Sequence, residues 1–239
     1  MPRKKREQDD VDSIDWVGPQ QSILAKIKIN LKCKTETQKT FVKSIHNNQI
    51  VICAGPAGTG KTYVACAEAL SMLAKGIYKK IIVAKSVTVL DGEDIGYLKG
   101  TMREKMEPVM LSFMDNFYKL IGKPLTEELE RNDMIEVVPI AYIRGRSIDD
   151  TFIIVDETQN LKKDHLITIL TRIGERSKLL LMGDGDQIDM KKKSDSGFEW
   201  LIRTFDDFED IGVVAFTEDD SVRNPIIRRI LNHIKSQSY

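Results

Sequence analysis

Residues 55–62 read GPAGTGKT, a stretch whose residue types can hold phosphate groups through the main chain. The stretch fits the pattern G-x-x-x-x-G-K-[ST], with a short apolar run before it and an amphipathic run after it. Its glycines would let successive N–H groups converge on phosphate oxygens at a helix N-terminus. Lys61 would reach the β- and γ-phosphates, and Thr62 would give its hydroxyl to Mg²⁺. The predicted nucleotide-binding residues here are Gly55, Pro56, Ala57, Gly58, Thr59, Gly60, Lys61, Thr62 and Tyr63.

Two carboxylates, Asp156 and Glu157, end the apolar run TFIIVD and begin the segment ETQN. In a parallel sheet the carboxyl ends of the strands form the edge at which phosphates bind. Asp156 could share Mg²⁺ with Thr62, and Glu157 could polarise a water for in-line attack on a γ-phosphate. A kinase must keep water away from its phosphoryl group, so the second carboxylate favours hydrolysis.

A third polar cluster, GDGDQ, follows the apolar run KLLLMGD. Such a segment is by itself an ordinary turn. At the tip of the next strand, however, the amide of Gln187 could hydrogen-bond both the attacking water and the γ-phosphate. We therefore interpret Gln187 as a γ-phosphate sensor.

Six short runs rich in Val, Ile and Leu alternate with candidate helices, and these elements must position the polar groups. Runs that are apolar throughout suit strands buried on both faces, and their alternation with helices predicts parallel crossover units. The fold class expected is α/β, a three-layer sandwich with a mostly parallel sheet. The predicted strands are 49–54, 80–85, 134–140, 151–156, 178–184 and 211–216, and the predicted helices are 61–75, 102–121, 163–173, 196–205 and 224–236.

The composition limits the function classes. The chain has 239 residues, and its 36 basic and 36 acidic side chains give a formal net charge of zero. A protein that coats duplex DNA non-specifically is usually basic, so any nucleic-acid role must rest on a local basic surface. The three cysteines show no CxxC pairing, and no apolar stretch reaches the roughly 18–20 residues of a membrane span. We expect a cytoplasmic protein without a membrane partner, and we expect residues 1–20 to be a disordered charged tail.

With these motifs in hand, the chain resembles the PhoH family of ATPases. That family is similar to the first motor domain of superfamily-one helicases, without the second motor domain. The resemblance implies a RecA-like P-loop NTPase domain over residues 21–239, with an adenine-side segment at 35–48 and a core at 49–239. The segments that carry the resemblance, from about Thr35 to His233, are GPAGTGKTYVA, GEDIGYLKGTMREKMEPVM, IEVVPIAYIRGRS, FIIVDETQN, LTRIGERSKLLLMGDGDQID and DDSVRNPIIRRI.

The resemblance implies roles for two further residues. Gln38 falls where related motors use a glutamine to read the adenine edge, and an amide can pair bidentately with adenine. The alternative is an exposed glutamine at the start of a helix. Arg223, in SVRNP, matches a family arginine suited to stabilising γ-phosphate charge in the transition state. Its alternative is a surface arginine that caps the following helix region.

Arg144 and Arg146 lie beside Tyr142 in AYIRGRS, and three interpretations of this group stay open. The two guanidinium groups and the ring suit single-stranded nucleic acid. They could instead supply an arginine finger to a neighbouring subunit. The third alternative is a salt-bridged loop that faces Asp149 and Asp150.

Two other basic residues are candidates for partner contacts. Arg172, in LTRIG, is expected near the active edge of the sheet as a second candidate for the inter-subunit role. Lys85-Ser86 stands where the family usually has Arg-Pro. Lys85 thus keeps a positive charge for strand contact but loses the planar fork that binds phosphate bidentately.

These features predict Mg²⁺-dependent ATP hydrolysis coupled to single-stranded nucleic acid, with RNA favoured, in a helicase-like motor. Lys61, Glu157, Gln187 and Arg223 are its predicted catalytic residues. Because the second motor domain is missing, we expect a homo-oligomer, with a ring as one form. Two alternatives stay open: an ATPase that remodels protein partners without binding nucleic acid, and a small-molecule phosphotransferase.

Overall fold

The computed structural model describes residues 19–85, 102–140, 143, 147–190, 192–224, 226, 227, 229, 230 and 233, with only the backbone given for 19, 20, 102–110 and 112. The predicted tail therefore lies outside the described residues, except for its last two positions. The described helices are α1 (Pro19–Leu24), α2 (Glu36–Asn47), α3 (Lys61–Ala74), α4 (Met102–Ile121), α5 (Lys123–Arg131), α6 (Lys163–Leu170) and α7 (Phe198–Phe205). The described strands are β1 (Ile50–Ala54), β2 (Lys80–Lys85), β3 (Ile135–Pro139), β4 (Thr151–Asp156), β5 (Lys178–Gly183) and β6 (Ile211–Ala215).

These strands form one sheet in the order β3-β2-β4-β5-β1-β6. Every ladder between the described strands is parallel, which confirms the predicted parallel sheet. In register, Lys85 at the end of β2 lies beside Asp156 at the end of β4. All carboxyl ends thus meet at one edge, with β5 between β4 and β1.

Helices cover both faces of the sheet, which confirms the three-layer sandwich. On one face, α2, α3, α4 and α5 bury side chains that include Phe41, Leu70, Phe113 and Leu129. On the other face, α6 and α7 pack through Leu166, Ile169, Phe198 and Leu201. Neighbouring residues of one strand enter opposite layers, as expected for a strand buried on both sides.

The helix bounds differ from the prediction in several places. Helix α6 ends at Leu170 rather than 173, because the backbone then turns and exchanges hydrogen bonds between Ile148 and both Arg172 and Gly174. The sequence did not predict α5 as a helix. Helix α2, with Thr35 as its N-cap, occupies most of segment 35–48, whose place beside adenine stays a prediction. In the predicted helix 224–236, residues 226, 227, 229, 230 and 233 are helical. Within the part of the chain that the structure describes, no helix has the length and apolarity to cross a membrane.

Candidate nucleotide and metal site

Three strand ends converge at the carboxyl edge of the sheet. The glycine-rich loop follows β1, Asp156 ends β4, and Gly183 ends β5 between them. Together they surround a cavity of about 240 Å³. The cavity is lined by Ala57, Gly58, Gly60, Lys61, Thr62, Tyr63, Asn116, Asp156, Glu157, Gly183, Asp184 and Gln187. The sheet topology thus brings the three predicted motifs into one site.

The loop has the backbone geometry that its glycines predict. Gly58 and Gly60 have φ values of 85° and 83°, in the left-handed region that glycine adopts without strain. Gly60 is also the N-cap of α3, so the first amides of that helix face the cavity. A Cβ on Gly58 would lie 2.0 Å from Nε of Arg223, and one on Gly60 would lie 2.8 Å from Nε2 of Gln38. Both positions therefore need glycine for conformation and for close packing.

Lys61 lies against the floor of the loop with 8% of its surface exposed. Its Nζ donates hydrogen bonds to the carbonyl oxygens of Gly55 at 2.7 Å and Pro56 at 2.9 Å. Burial lowers the pKa of the Lys61 ammonium group. The cation is thus held in the loop by neutral carbonyls, where a phosphate would be a stronger partner.

Thr62 and Asp156 face each other across the cavity. The Thr62 hydroxyl donates to Oδ2 of Asp156 at 3.2 Å, and the main-chain N–H of Glu157 donates to Oδ1 at 3.0 Å. Burial, reinforced by the charge of Glu157, raises the pKa of Asp156 to about 6. A cation would relieve this buried negative charge.

The residues at this position fit Mg²⁺. A hydroxyl and a carboxylate are hard oxygen ligands, and Mg²⁺ commonly takes one or two protein ligands and completes its shell with water and substrate phosphates. Among the described residues, no group of three or more His, Cys, Asp and Glu side chains could hold a metal ion by itself. The site therefore suits a magnesium ion that arrives with a nucleotide.

Glu157 has an unusual backbone and two side-chain neighbours. Its φ of 55° is left-handed, a conformation that non-glycine residues adopt at a cost of order 1 kcal/mol and that is frequent in active sites. Its Oε2 accepts a hydrogen bond from Nε2 of Gln159 at 2.6 Å. Its Oε1 lies 3.6 Å from Nζ of Lys85. Since 36% of the side chain is exposed, water can reach the carboxylate.

The other predicted site residues lie around the loop. Gln187 is exposed and lines the cavity, as does Tyr63. The side chain of Arg223 lies on Gly58, and the adjacent Val222 donates its N–H to the Gly58 carbonyl at 2.9 Å. Arg223 thus packs against the phosphate loop, on the side of Gly58 where a Cβ would project.

Gln38 is buried, so the alternative of an exposed helix-start glutamine is wrong. Its Nε2 donates to the Thr59 carbonyl at 2.8 Å, and its Oε1 accepts from the Lys34 N–H at 2.7 Å. The amide thereby joins the start of α2 to the phosphate loop. Contact with adenine stays a prediction.

Arg172 does not lie near the active edge, and that prediction is wrong. Its carbonyl accepts a hydrogen bond from Ile148, which precedes β4, whereas Asp156 ends β4 at the opposite side of the sheet. The physical reason is that α6 runs back along the strand, so residues after it reach the amino edge. Tyr142, Arg144 and Arg146 lie outside the described residues. Asp150, a partner considered for those arginines, is bound by Lys79 and Arg176.

Sequence reasoning missed three residues at this site. Asn116 reaches the cavity from α4. Asp184 is 7% exposed and accepts hydrogen bonds from the N–H groups of Ala57 and Asp186. Gln159 is fully buried beside Glu157. The available signal for Gln159 was its place in the polar run ETQN, directly after a buried strand. A polar side chain buried there needs hydrogen-bond partners, and the site supplies them.

The architecture and the loop define a P-loop nucleotide-binding protein with a RecA-like fold. Among solved structures, the large terminase of a thermophilic bacteriophage matches with a TM-score of 0.50 and 11% identity. The match covers 83% of this chain and 49% of the terminase chain. At this identity the match shows a shared fold.

The chain belongs to the PhoH family, since the family model described as PhoH-like protein matches residues 30–235. A PhoH-like protein of Bacillus subtilis (strain 168) is 35% identical over 209 residues, covering 87% of this chain and 65% of the relative. A PhoH-like protein of Mycobacterium tuberculosis (strain H37Rv) is 37% identical over 210 residues, covering 88% and 59%. Protein PhoH of Escherichia coli (strain K12) is 30% identical over 235 residues, covering 96% and 66%. The chain thus spans about three fifths to two thirds of the length of these relatives.

Proposed function

We propose that this chain is a Mg²⁺-dependent ATP hydrolase whose activity is coupled to single-stranded nucleic acid. The observation that carries the proposal is the contact of Thr62 with Asp156 at 3.2 Å, beside Glu157 and in the same cavity as the phosphate loop. A metal ligand pair, a carboxylate that water can reach and a phosphate-binding loop are the parts that phosphoanhydride hydrolysis requires.

Each side chain then has a defined task. Lys61 exchanges the carbonyls of Gly55 and Pro56 for phosphate oxygens, and the α3 amides bind beside it. Thr62 and Asp156 would hold Mg²⁺, which supplies charge neutralisation and orientation of the phosphates. Arg223 adds positive charge at the loop as charge develops in the transition state.

Glu157 favours hydrolysis over transfer to a small-molecule acceptor. Its carboxylate reaches the cavity and is open to water, so it can accept a proton from a water that attacks the γ-phosphate. Gln187 lines the same cavity from the segment after β5 and can orient that water. A phosphotransferase gains nothing from a general base that activates water.

The proposed partner is single-stranded RNA or DNA, with RNA favoured by the family resemblance. Lys85 supports this coupling, because it ends β2 at the active edge with its Nζ 3.6 Å from Glu157. A nucleic-acid phosphate bound by Lys85 would change the charge beside the water-activating carboxylate. The free cysteines Cys33, Cys53 and Cys66 agree with a reducing cytoplasm as its location.

Phosphate release tests this function directly. It is measured with Mg²⁺ or with excess EDTA, in the presence of single-stranded RNA, single-stranded DNA or duplex DNA of equal length, at several salt concentrations. We expect hydrolysis that needs Mg²⁺, rises with single strands, and loses this stimulation as salt increases because phosphate contacts are screened.

The alternatives give different results in the same assay. Hydrolysis that ignores every nucleic acid would favour an ATPase acting on protein partners, and no release without an added acceptor would favour a phosphotransferase. Lys61→Ala is the negative control, since it removes the phosphate-binding cation.

We also propose that the active form is a homo-oligomer, with a ring as one arrangement. In such an assembly, a neighbouring subunit would supply the second surface that grips a strand together with this domain. Light scattering at micromolar protein with ATP and Mg²⁺ tests this point, and a monomeric mass would contradict it.

A further inference from the structure

A short 3-10 turn over Thr158–Asn160 joins the end of β4 to the segment that leaves β5. The Thr158 hydroxyl donates to the Met182 carbonyl at 2.7 Å. Asn160 accepts a hydrogen bond at Oδ1 from the Asp189 N–H at 2.8 Å. Between them, Gln159 makes contacts of a different kind, because its side chain touches the carboxylate proposed to activate water.

The carboxamide of Gln159 has partners on both sides. Its Nε2 donates to Oε2 of Glu157 at 2.6 Å and to the main-chain carbonyl of Gln187 at 3.0 Å. Its Oε1 accepts from the N–H of Asp184 at 3.1 Å. Both amide protons thus meet oxygen acceptors and the amide oxygen meets a donor, so only this orientation of the amide satisfies all three groups.

We propose that Gln159 is a positioning residue of the proposed ATPase, which fixes the Glu157 carboxylate relative to the γ-phosphate sensor segment 183–187. The inference rests on the proposed hydrolysis and adds a residue to that same site. Gln159 lines neither the cavity nor the phosphate loop, so it acts through Glu157 and the Gln187 backbone.

The contacts of Glu157 explain why its carboxylate needs this support. The carboxylate has a short hydrogen bond to a fully buried donor on one side and a 3.6 Å approach to the partly exposed Lys85 on the other. A Glu side chain with 36% exposure has several rotamers available, and each productive proton transfer needs one geometry. Gln159 is the rigid member of the pair, because burial and three hydrogen bonds fix its own rotamer.

The same amide links Glu157 to the phosphate loop. Asp184 donates its N–H to Gln159 and accepts at Oδ2 from the N–H of Ala57 at 3.0 Å. Gly183 permits this approach, since a Cβ there would lie 3.0 Å from Oε1 of Gln159. A displacement of the loop by bound nucleotide therefore reaches Glu157 through two hydrogen-bonded side chains.

The test is Gln159→Met, which keeps the length of the side chain and removes its hydrogen bonds. We expect kcat for phosphate release to fall about 10- to 100-fold, the usual cost of removing a group that orients a catalytic residue. The dissociation constant of a non-hydrolysable ATP analogue should stay within about twofold, because Gln159 touches no phosphate-binding atom. Rates are normalised to nucleotide-binding sites counted with the analogue, so that unfolded protein does not contribute.

Thr158→Val is the matched control, since it removes a bond from the same turn to β5 but none to Glu157. Its kcat should stay within about twofold of wild type. Gln159→Glu is the second variant, as it keeps an acceptor for Asp184 and replaces the donor to Glu157 with an oxygen. It should lose at least as much kcat as Gln159→Met.

A double-mutant cycle separates positioning from general damage. In the Glu157→Gln background, measured in single turnover, Gln159→Met should change the rate by no more than about twofold, because the carboxylate it positions is gone. An equal loss in both backgrounds, a wild-type kcat for Gln159→Met, or a loss shared by Thr158→Val would each overturn the role of Gln159 alone. A wild-type chain that releases no phosphate would overturn the proposed hydrolysis and this role with it.

Discussion

Strand β4 has an aspartate at each end, and the two have opposite environments. Asp150 precedes the strand and contacts Nζ of Lys79 at 2.8 Å and Nε of Arg176 at 2.5 Å. These cations hold the pKa of Asp150 well below its usual range. Asp156 ends the strand, accepts from a hydroxyl and a main-chain N–H, and has its pKa raised to about 6 by burial.

The two aspartates differ in whether the protein itself supplies the cations that balance their charge. At the amino edge the carboxylate has two cations in contact, and its ionised form is favoured. At the carboxyl edge the partly buried carboxylate of Asp156 accepts from neutral donors, and beyond the effect of burial the neighbouring carboxylate of Glu157 raises its pKa more than Lys85 lowers it. This arrangement lowers the free energy of unfolding, and binding of the proposed Mg²⁺·ATP would offset that loss.

The largest expected effect comes from Glu157→Gln at the carboxyl edge. We expect kcat for ATP hydrolysis to fall about 100- to 10,000-fold, because the proposed general base is lost. Binding of ATP should persist, since the phosphate loop is unchanged. Phosphate release together with analogue binding measures both. Glu175→Gln, at the amino edge, is the control and should hydrolyse at the wild-type rate; equal losses in the two variants would break the comparison.

A smaller effect is expected on the stability of the fold. Asp156→Asn should raise the free energy of unfolding at pH 7, without Mg²⁺, by about 1–3 kcal/mol, because it removes a charge that burial disfavours, as the pKa of about 6 indicates. Asp150→Asn should lower the free energy of unfolding, because Lys79 and Arg176 lose their partner. Urea unfolding compares the three proteins. A free energy of unfolding that changes in the same direction in both variants would contradict the difference between the two ends of β4.

The smallest expected effect is a pH dependence. The pKa of Asp156 is about 6 in the folded state and 3.8 for an ordinary aspartate, so between these values the native state binds a proton that the unfolded state has released. Its contribution to stability is therefore greatest at low pH, falls as pH rises from about 4 to 6, and is constant above. The difference in unfolding free energy between wild type and Asp156→Asn, measured in urea from pH 4 to 7.5, should follow this curve. A difference that does not change with pH would contradict the raised pKa of Asp156.

Much of the fold and the site was predictable because the signals are local. The glycines around Lys61 predict the conformation of the loop, and each strand is predicted by one continuous apolar run. Parallel pairing then places the ends of β1, β4 and β5 at one edge, which is why Thr62 and Asp156 could be matched in advance.

The unpredicted parts depend on neighbours that sequence order does not give. The bond of Gln159 to Asp184 exists because β5 lies next to β4, with glycine at the strand end. The position of Arg172 follows from the length and direction of α6. Gln38 was expected at the surface or on adenine, and its contacts with Lys34 and Thr59 depend on how α2 packs beside the loop.

The residues that pack against the phosphate loop come late in the chain, and this sets an order of events during synthesis. Gly55 packs on Phe216, and Gly58 packs on Arg223, residues that a ribosome makes long after the loop itself. Strand β1 also pairs with β6, the last described strand. A nascent chain that has released only the loop therefore has no closed pocket, and nucleotide cannot stabilise it. Nucleotide can begin to stabilise the chain only once the segment through Arg223 has emerged. Nucleotide binding during synthesis would therefore report that most of the described domain has been made.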